Sequence, residues 1–541
     1  MEDQRPRNQR RGDQGPKNRQ RGNKKLRDAL AAAVPHWRRR YGAAAGGLVL
    51  ALGLAGCAVG PDYRTPLLDL PKQYGTAKDR QADRPAAQPA PKSDLNRWWV
   101  GLRDPMLTAL IDEAVAGNLD VATAKAKVRE ARALRRQAIG VLYPNVDGFA
   151  SVTRNKTATS RGSSSTDTAG SIASPPYTLY QAGFDASWEL DLFGANRRNV
   201  EAANDALDAA WDDLDATLLT LIGDVAATYV EARGYQARIT LARRSAASQR
   251  QTADITKAKF EAGSASAVDV AKASAQAAST EANIPALEIA YAETVHRLGV
   301  LLGREPSALS ARLAQPRGIP APRLPLKPGV PADVLLSRPD VRAAERRLAA
   351  ATANIGEAEA ALYPSITLTG NISTSAQKFG DLGKSSTIGW SWGPQLSVPI
   401  FNAGRLLAAV GVAEAQRDQS HIAFRAAVLT ALEDVENALV SLAKERTRAA
   451  RLGESARGYR EAARLSLQLF QIGSSSFFDV LDAERSLYSA EDSLLQSRVA
   501  ISTNYIALAK ALGGGWTDAV DVSTPEVVDT GTGPHFYRVS Q

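Results

Sequence analysis

One cysteine, two methionines and four histidines in 541 residues rule out several kinds of chemistry at once. Disulfide frameworks need paired cysteines, and structural zinc sites need clustered Cys or His. His36, His296, His421 and His535 are scattered, without the short spacing of metal ligands. Gly-rich phosphate loops, nucleophile elbows and zinc-protease helices are missing as well. A carboxylate pair is a catalytic device that sequence spacing cannot test, because its two members need not be close in the chain. The expectation is no enzyme, no metal and no cofactor, with function residing in shape.

A formal charge of +9 invites a nucleic-acid reading until the charge is located. Residues 1 to 56 hold 13 Lys/Arg against 4 Asp/Glu, and the remainder carries 53 of each sign. The basic character therefore belongs to the leader, and no nucleic-acid partner is implied. Within that leader, Tyr41 to Gly56 is an uncharged run of Ala, Gly, Leu and Val ending in Leu54-Ala55-Gly56-Cys57. A basic region, a short apolar region and small residues before a break describe a secretory signal, too short for the ~20 residues of a spanning helix. Residues 1–56 read as a removed signal peptide, although their basic part is longer than a signal needs and leaves the translation start open. Leu-Ala-Gly-Cys resembles the bacterial lipobox, whose Cys becomes the acylated first residue of the mature chain. A free buried cysteine is the plainer alternative. With Ala58 next, the lipobox reading sends the protein to the outer membrane.

The mature chain then repeats itself. Phe260, Gly263, Ser264, Ser266, Asp269, Val270, Leu302 and Gly303 recur 210 residues later as Phe470, Gly473, Ser474, Ser476, Asp479, Val480, Leu512 and Gly513. In each copy a long helix runs into a Gly, and Ser ahead of Asp can cap the returning helix. Proline is absent from Ala195 to Glu261 and from Gly404 to Ile472, enough for helices of about 100 Å at ~1.5 Å per residue. Leu207, Trp211, Leu214, Leu218, Leu221 and Val225, and likewise Val428, Leu432, Val435, Leu439 and Leu442, follow the alternating 4 and 3 spacing of a heptad seam. Pro285 predicts a kink or break in the first returning helix only.

Upstream of each long helix lies a Tyr-Pro helix end, Tyr143-Pro144 and Tyr363-Pro364, followed by strand-like alternation. The first helix, capped by Asp104 with Pro105 in its first turn, is expected to reach about Leu142. Tyr180–Phe193, Ser365–Ser373 and Thr387–Phe401 each put apolar residues on one face and small or polar residues on the other. The segment after Pro144 is the weakest, because Phe149 falls opposite Val146 and Val152. Such runs fit transmembrane barrel strands or a soluble sheet packed on one face. Four strands cannot close a barrel, for which about eight are the minimum, so strands in a membrane require oligomerisation. The implied organisation is an anchor and extended tether at 57–103, a first repeat at 104–303, a linker at 304–337, a second repeat at 338–513 and an unassigned tail at 514–541.

Cys57, Trp98 with Asp104-Pro105, the two Tyr-Pro ends, the two strand hairpins and the two Gly/Asp helical tips together resemble the TolC/NodT-type outer-membrane factors of tripartite RND efflux systems. The resemblance covers about Cys57 to Gly513. It implies an α+β membrane protein: a homotrimer whose twelve strands, four per chain, form an outer-membrane β-barrel continued by a long α-helical coiled-coil barrel in the periplasm. It also implies a passive duct for drugs and toxic compounds, fed by a periplasmic adaptor protein and an inner-membrane RND transporter and surrounded by outer-membrane lipid. The exit duct of a type I protein secretion system, or a non-conducting lipid-anchored coiled coil, stays open as an alternative. In the family the duct narrows at the helical tips. The resemblance assigns that role to Phe470, Gly473, Asp479 and Asp482, with Phe260, Gly263 and Asp269 in the first copy. Ser475 stands where some relatives carry Arg, and Lys272 is the counterpart of Asp482. For Asp479, an ordinary helix N-terminal carboxylate is an equally good reading.

Mass spectrometry of the mature N-terminus is expected to find an acylated Cys57 following cleavage after Gly56. An unmodified Cys57, or a different terminus, would remove the lipobox reading.

Overall fold

The computed structural model describes residues 58–67, 71, 74, 95–156, 175–322, 326, 337–515 and 519–525. The leader, Cys57 and most of the first hairpin loop lie outside them. A 3-10 turn, Trp98–Leu102, leads into α1 (Pro105–Gly117) and α2 (Leu119–Gly140), then β1 (Asn145–Asn155) and β2 (Tyr177–Leu190). The hairpin of α3 (Ala195–Glu261) and α4 (Ala267–Leu301) completes the first repeat. The second consists of α5 (Pro339–Ala360), β3 (Ser365–Ala376), β4 (Ile388–Ser397), α6 (Arg405–Gln471) and α7 (Phe477–Ala511). Two single turns, Pro306–Leu309 and Ser310–Leu313, follow α4.

Two helix boundaries differ from the sequence reading. The first helix stops at Asn118, whose side-chain oxygen accepts from Asp120 N at 2.8 Å and Val121 N at 3.0 Å to cap α2. Its amide nitrogen donates to the Leu301 carbonyl at 2.9 Å. One side chain thus starts α2 and fastens the end of α4, a role that periodicity does not reveal. The second difference is that, of the kink or break expected at Pro285, there is no break: α4 is one helix from Ala267 to Leu301. Proline removes one donor but does not end a helix whose neighbours hold it, and α4 packs along the length of α3.

Both predicted heptad seams are turned inward. Leu214, Leu218, Leu221 and Val225 of α3 and Val435 and Leu442 of α6 join the main core, together with Trp98, Trp99, Leu107 and Ile111 from the chain's start and Tyr505 and Leu508 from α7. Val522 of the tail belongs to the same core, and Arg129 Nη1 donates to its carbonyl at 3.2 Å. The helix α3 packs against α1, α2, α4, α5 and α7, so it is the wall common to both repeats.

The strands form one antiparallel sheet in the order β1-β2-β3-β4, the two hairpins joined by β2 and β3. Its register lines up Val146, Ala186, Gly370 and Trp392 in one row and Gly148, Phe184, Ile372 and Trp390 in the next. The side chains of one face are therefore apolar from edge to edge. That face is open: Trp390 and Trp392 are 71% and 72% exposed, and Phe184 60%. The opposite face carries the row Asp147, Asp185, Asn371 and Ser391, with Phe149 as its apolar exception.

At the end of α4, Gly303 has φ +67 and a Cβ there would stand 2.0 Å from the Gly117 carbonyl oxygen, whereas Gly263 has φ +77 and open space around it. Gly303→Ala is expected to cost more than about 2 kcal/mol, strain and collision together, and Gly263→Ala only about 1 kcal/mol. Thermal melts of the two variants check this, and equal losses would contradict it.

Candidate functional site

At one end of the helical hairpins both repeats build the same tip. After α3, Gly263 (φ +77) donates to the Phe260 carbonyl at 2.9 Å and Ser264 N to the Lys259 carbonyl at 2.8 Å. After α6, Gly473 (φ +81) and Ser474 repeat this with Phe470 and Leu469 at 3.1 and 2.8 Å. The left-handed glycine lets the last carbonyls find donors as the chain reverses. Each returning helix opens with a capping box. Ser476 Oγ accepts from Asp479 N at 3.4 Å, while Asp479 Oδ2 accepts from Ser476 N at 3.1 Å and Ser476 Oγ at 2.9 Å. Ser266 and Asp269 do the same at 3.2, 3.2 and 2.7 Å. Both aspartates hold the first turn of a helix, as the plainer reading of Asp479 expects.

Of the residues assigned to the tip, Asp479 and Asp482 are exposed, and so is Phe260. Phe470 is buried instead, in a cluster with Ala253, Ala273, Phe477 and Val480 that gathers all four long helices. Its ring lies 5.9 Å from that of Phe477, edge to face, with Lys259 Nζ 5.0 Å from its centroid. The aromatic at this position cements the two tips together. Ile472 and Phe478, 75% and 65% exposed, present apolar surface beside the aspartates.

Above the tip, α3 and α7 meet along polar pairs that the sequence did not disclose. Arg238 is bidentate to Asp492 at 2.7 and 3.1 Å. Glu491, 7% exposed, accepts from Arg244 Nη2 at 2.5 Å and also from Arg460 of α6. Thr252 Oγ1 donates to Glu484 at 2.8 Å. Burial pushes the Glu484 carboxyl above its ordinary range, and the Thr252 hydroxyl opposes that shift. The α3 and α7 partners stand more than 200 positions apart, and no local pattern marks them.

The two copies seen in the sequence are also seen by family comparison: the model described as outer membrane efflux protein matches residues 110–304 and again 330–514. The chain belongs to that family. It is 35% identical to nodulation protein T of Rhizobium leguminosarum bv. trifolii over 86% of this chain and 95% of that protein. It is 33% identical to the solvent efflux pump outer membrane protein SrpC of Pseudomonas putida, over 86% and 97%. Among solved structures, the outer-membrane channel OprN superposes with a TM-score of 0.77 at 34% identity, covering 85% of this chain and all of that one. This member of the family is an outer-membrane efflux channel component, and its α+β architecture is the family's.

The capping boxes separate the two aspartates of the tip. Asp479→Asn is expected to weaken the start of α7 by about 0.5–1 kcal/mol, visible as faster amide exchange in its first turn. Asp482→Asn, outside the box, should leave that exchange unchanged. Equal exchange in both variants would show that the Asp479 carboxylate contributes nothing to the cap.

Proposed function

We propose that this chain is the outer-membrane duct of a tripartite efflux pump, a passive homotrimer that carries small molecules from the periplasm to the outside. The supporting observation is the sheet. Its apolar face is continuous in register and open, and among the described residues its outer strands β1 and β4 each pair on one side only. Three copies joined β4 to β1 make twelve strands, enough to close a barrel and satisfy every edge. Trp390, Trp392 and Phe184 then face lipid, while Asp147, Asp185 and Asn371 face a water-filled lumen. The helical hairpins continue the lumen into the periplasm. There a periplasmic adaptor and an inner-membrane RND transporter deliver the substrate, consistent with SrpC being a pump component by name. Cys57, acylated, supplies a second attachment to the outer membrane. The substrate is the pump's to choose, because a passive duct carries what it is given.

At the tips, Asp479 and Asp482 from three chains surround one axis. Like charges held close favour cations at the constriction. The pair of residues is the cation-selective gate of the duct, with Gly473 and Gly263 shaping the turns and Asp269 capping the first tip.

The register gives a one-residue test. Trp392→Lys places a charge on the lipid face at a cost of up to about 2–4 kcal/mol and is expected to abolish the outer-membrane trimer. Ser391→Lys, on the lumenal face, should leave a trimer with the mass of three mature chains. Loss of both, or of neither, would contradict the assignment of the faces. Single-channel recording under a salt gradient tests the gate. The Asp479→Asn, Asp482→Asn double variant is expected to lose cation preference, and an unchanged reversal potential would place these residues away from the constriction.

A further inference from the structure

Residues 58–66 have no regular secondary structure, so their backbone groups must find partners elsewhere. Three of these groups find them in the turn after β2 and at the start of α3. Val59 N donates to the Phe193 carbonyl at 3.0 Å, in the turn between β2 and α3. Arg198, in the first turn of α3 and 5% exposed, devotes most of its guanidinium to this segment. Its Nε donates to the Val59 carbonyl at 3.1 Å, and its Nη2 to the Gly60 carbonyl at 3.2 Å and to Asp62 Oδ1 at 2.8 Å. Glu201, at 2.8 Å from Nη1, completes its coordination. On α5, Glu345 accepts from the Tyr63 hydroxyl and from Thr65 Oγ1, each at 3.0 Å.

The steric fit is as specific as the hydrogen bonding. Gly60 has φ +91, and a Cβ there would stand 2.3 Å from Gly356 Cα on α5. A Cβ on Gly356 would come within 2.9 Å of the Val59 carbonyl oxygen, and one on Gly194 within 2.8 Å of Ala58 Cα. Three glycines, one in the segment and one in each repeat, thus admit backbone against backbone. A buried arginine bonded to two main-chain carbonyls and two carboxylates is costly to displace, since its donors would be left unpaired.

We infer that Ala58–Pro66 is a staple and Arg198 its positioning residue: together they seat the start of the mature chain at the junction of sheet and helices and join the first repeat to the second. The inference rests on the reading of Cys57 as the acylated first residue, one peptide bond before Ala58. Were the stretch from Cys57 to Arg103 a free tether, the anchor would range over roughly 40 Å. The staple removes that freedom, so that the acyl group and the apolar face of the sheet enter the membrane together, and insertion gains the effective concentration of an intramolecular step.

The test uses the full-length protein with Gly60→Ala and Arg198→Ala made separately. Gly60→Ala ejects the segment while leaving every helix residue in place, so a phenotype shared with Arg198→Ala is not misfolding of the bundle. Three quantities are measured: the mass of the mature N-terminus, the rate of trypsin cleavage after the exposed Arg64, and the fraction of chain recovered as outer-membrane trimer. The expected result is unchanged acylation, cleavage on the order of tenfold faster or more in both variants, and a severalfold fall in inserted trimer with the helical melting temperature preserved. Unchanged cleavage in both variants would overturn the staple, and faster cleavage with normal insertion would overturn its seating role. An unmodified Cys57 in the parent protein would overturn the lipid-anchor reading alone, because the cleavage rates still decide the staple.

Discussion

A sheet with one apolar face and, among the described residues, two unpaired edges is an unfinished structure, and most of this protein follows from finishing it. Backbone N–H and C=O groups cannot be left bare in hydrocarbon, where each costs several kcal/mol. The edges of β1 and β4 therefore need other strands, and the exposed Trp390, Trp392 and Phe184 need lipid. Four strands per chain make more than one copy necessary, and the family resemblance sets the proposed number at three. The duplication has a physical use here as well, because each repeat supplies one hairpin and one helical pair, and the β2–β3 pairing makes the two hairpins a single sheet.

Beneath the sheet, α3 carries the load of joining the repeats. Arg233, 1% exposed, donates to Tyr229 at 3.1 Å, Gln236 at 2.6 Å and the Gln315 carbonyl at 2.9 Å. Tyr229 in turn donates to Asp104 at 2.7 Å, the same carboxylate that caps α1. Burial, followed by that hydrogen bond to Asp104, pushes the Tyr229 hydroxyl up to about 12, so it stays a donor at any physiological pH. Along α5, Arg342 bonds Asp212 at 2.7 Å and Asp215 at 3.1 Å, and Arg346 bonds Asp205 at 3.3 Å, all on α3. Burial outweighs these arginines and raises the pKa of all three aspartates. A raised carboxylate pKa favours folding at low pH and loses that contribution as pH rises through the folded value. A ladder of this kind contributes more to register between helices than to net stability.

In the proposed duct, one residue of the tip serves both folding and transport. Asp479 closes a capping box, which fixes its carboxylate at a defined height, and a fixed carboxylate is what a ring of charge requires. Phe470 has the complementary task, holding the two tips together from inside while Asp482 stays exposed. The partly buried Glu484 and the Arg244–Glu491–Arg460 group lie at the contact between α3 and the α6–α7 hairpin. Any rearrangement of the tip has to work against those bonds.

Much of this architecture was legible in one dimension. The 210-residue offset, the Gly and Ser-x-x-Asp tips, the heptad seams and the period-two strands are local patterns, each set by the backbone geometry of a helix end, a helix face or a pleat. Those patterns carried the order of elements and the tip turns without any knowledge of contacts, while the membrane barrel came from the family resemblance. What they could not carry were relations between distant residues. The break at Asn118 exists because its amide reaches Leu301, and Pro285 is tolerated because α3 supports α4. Phe470 is buried because Phe477 and Ala253 meet it, and Arg198 has a purpose only because Val59, Gly60 and Asp62 fold back onto it. Secondary structure is written in nearest neighbours and short periods. Which polar groups find partners 100 or 250 residues away is decided only when the helices pack.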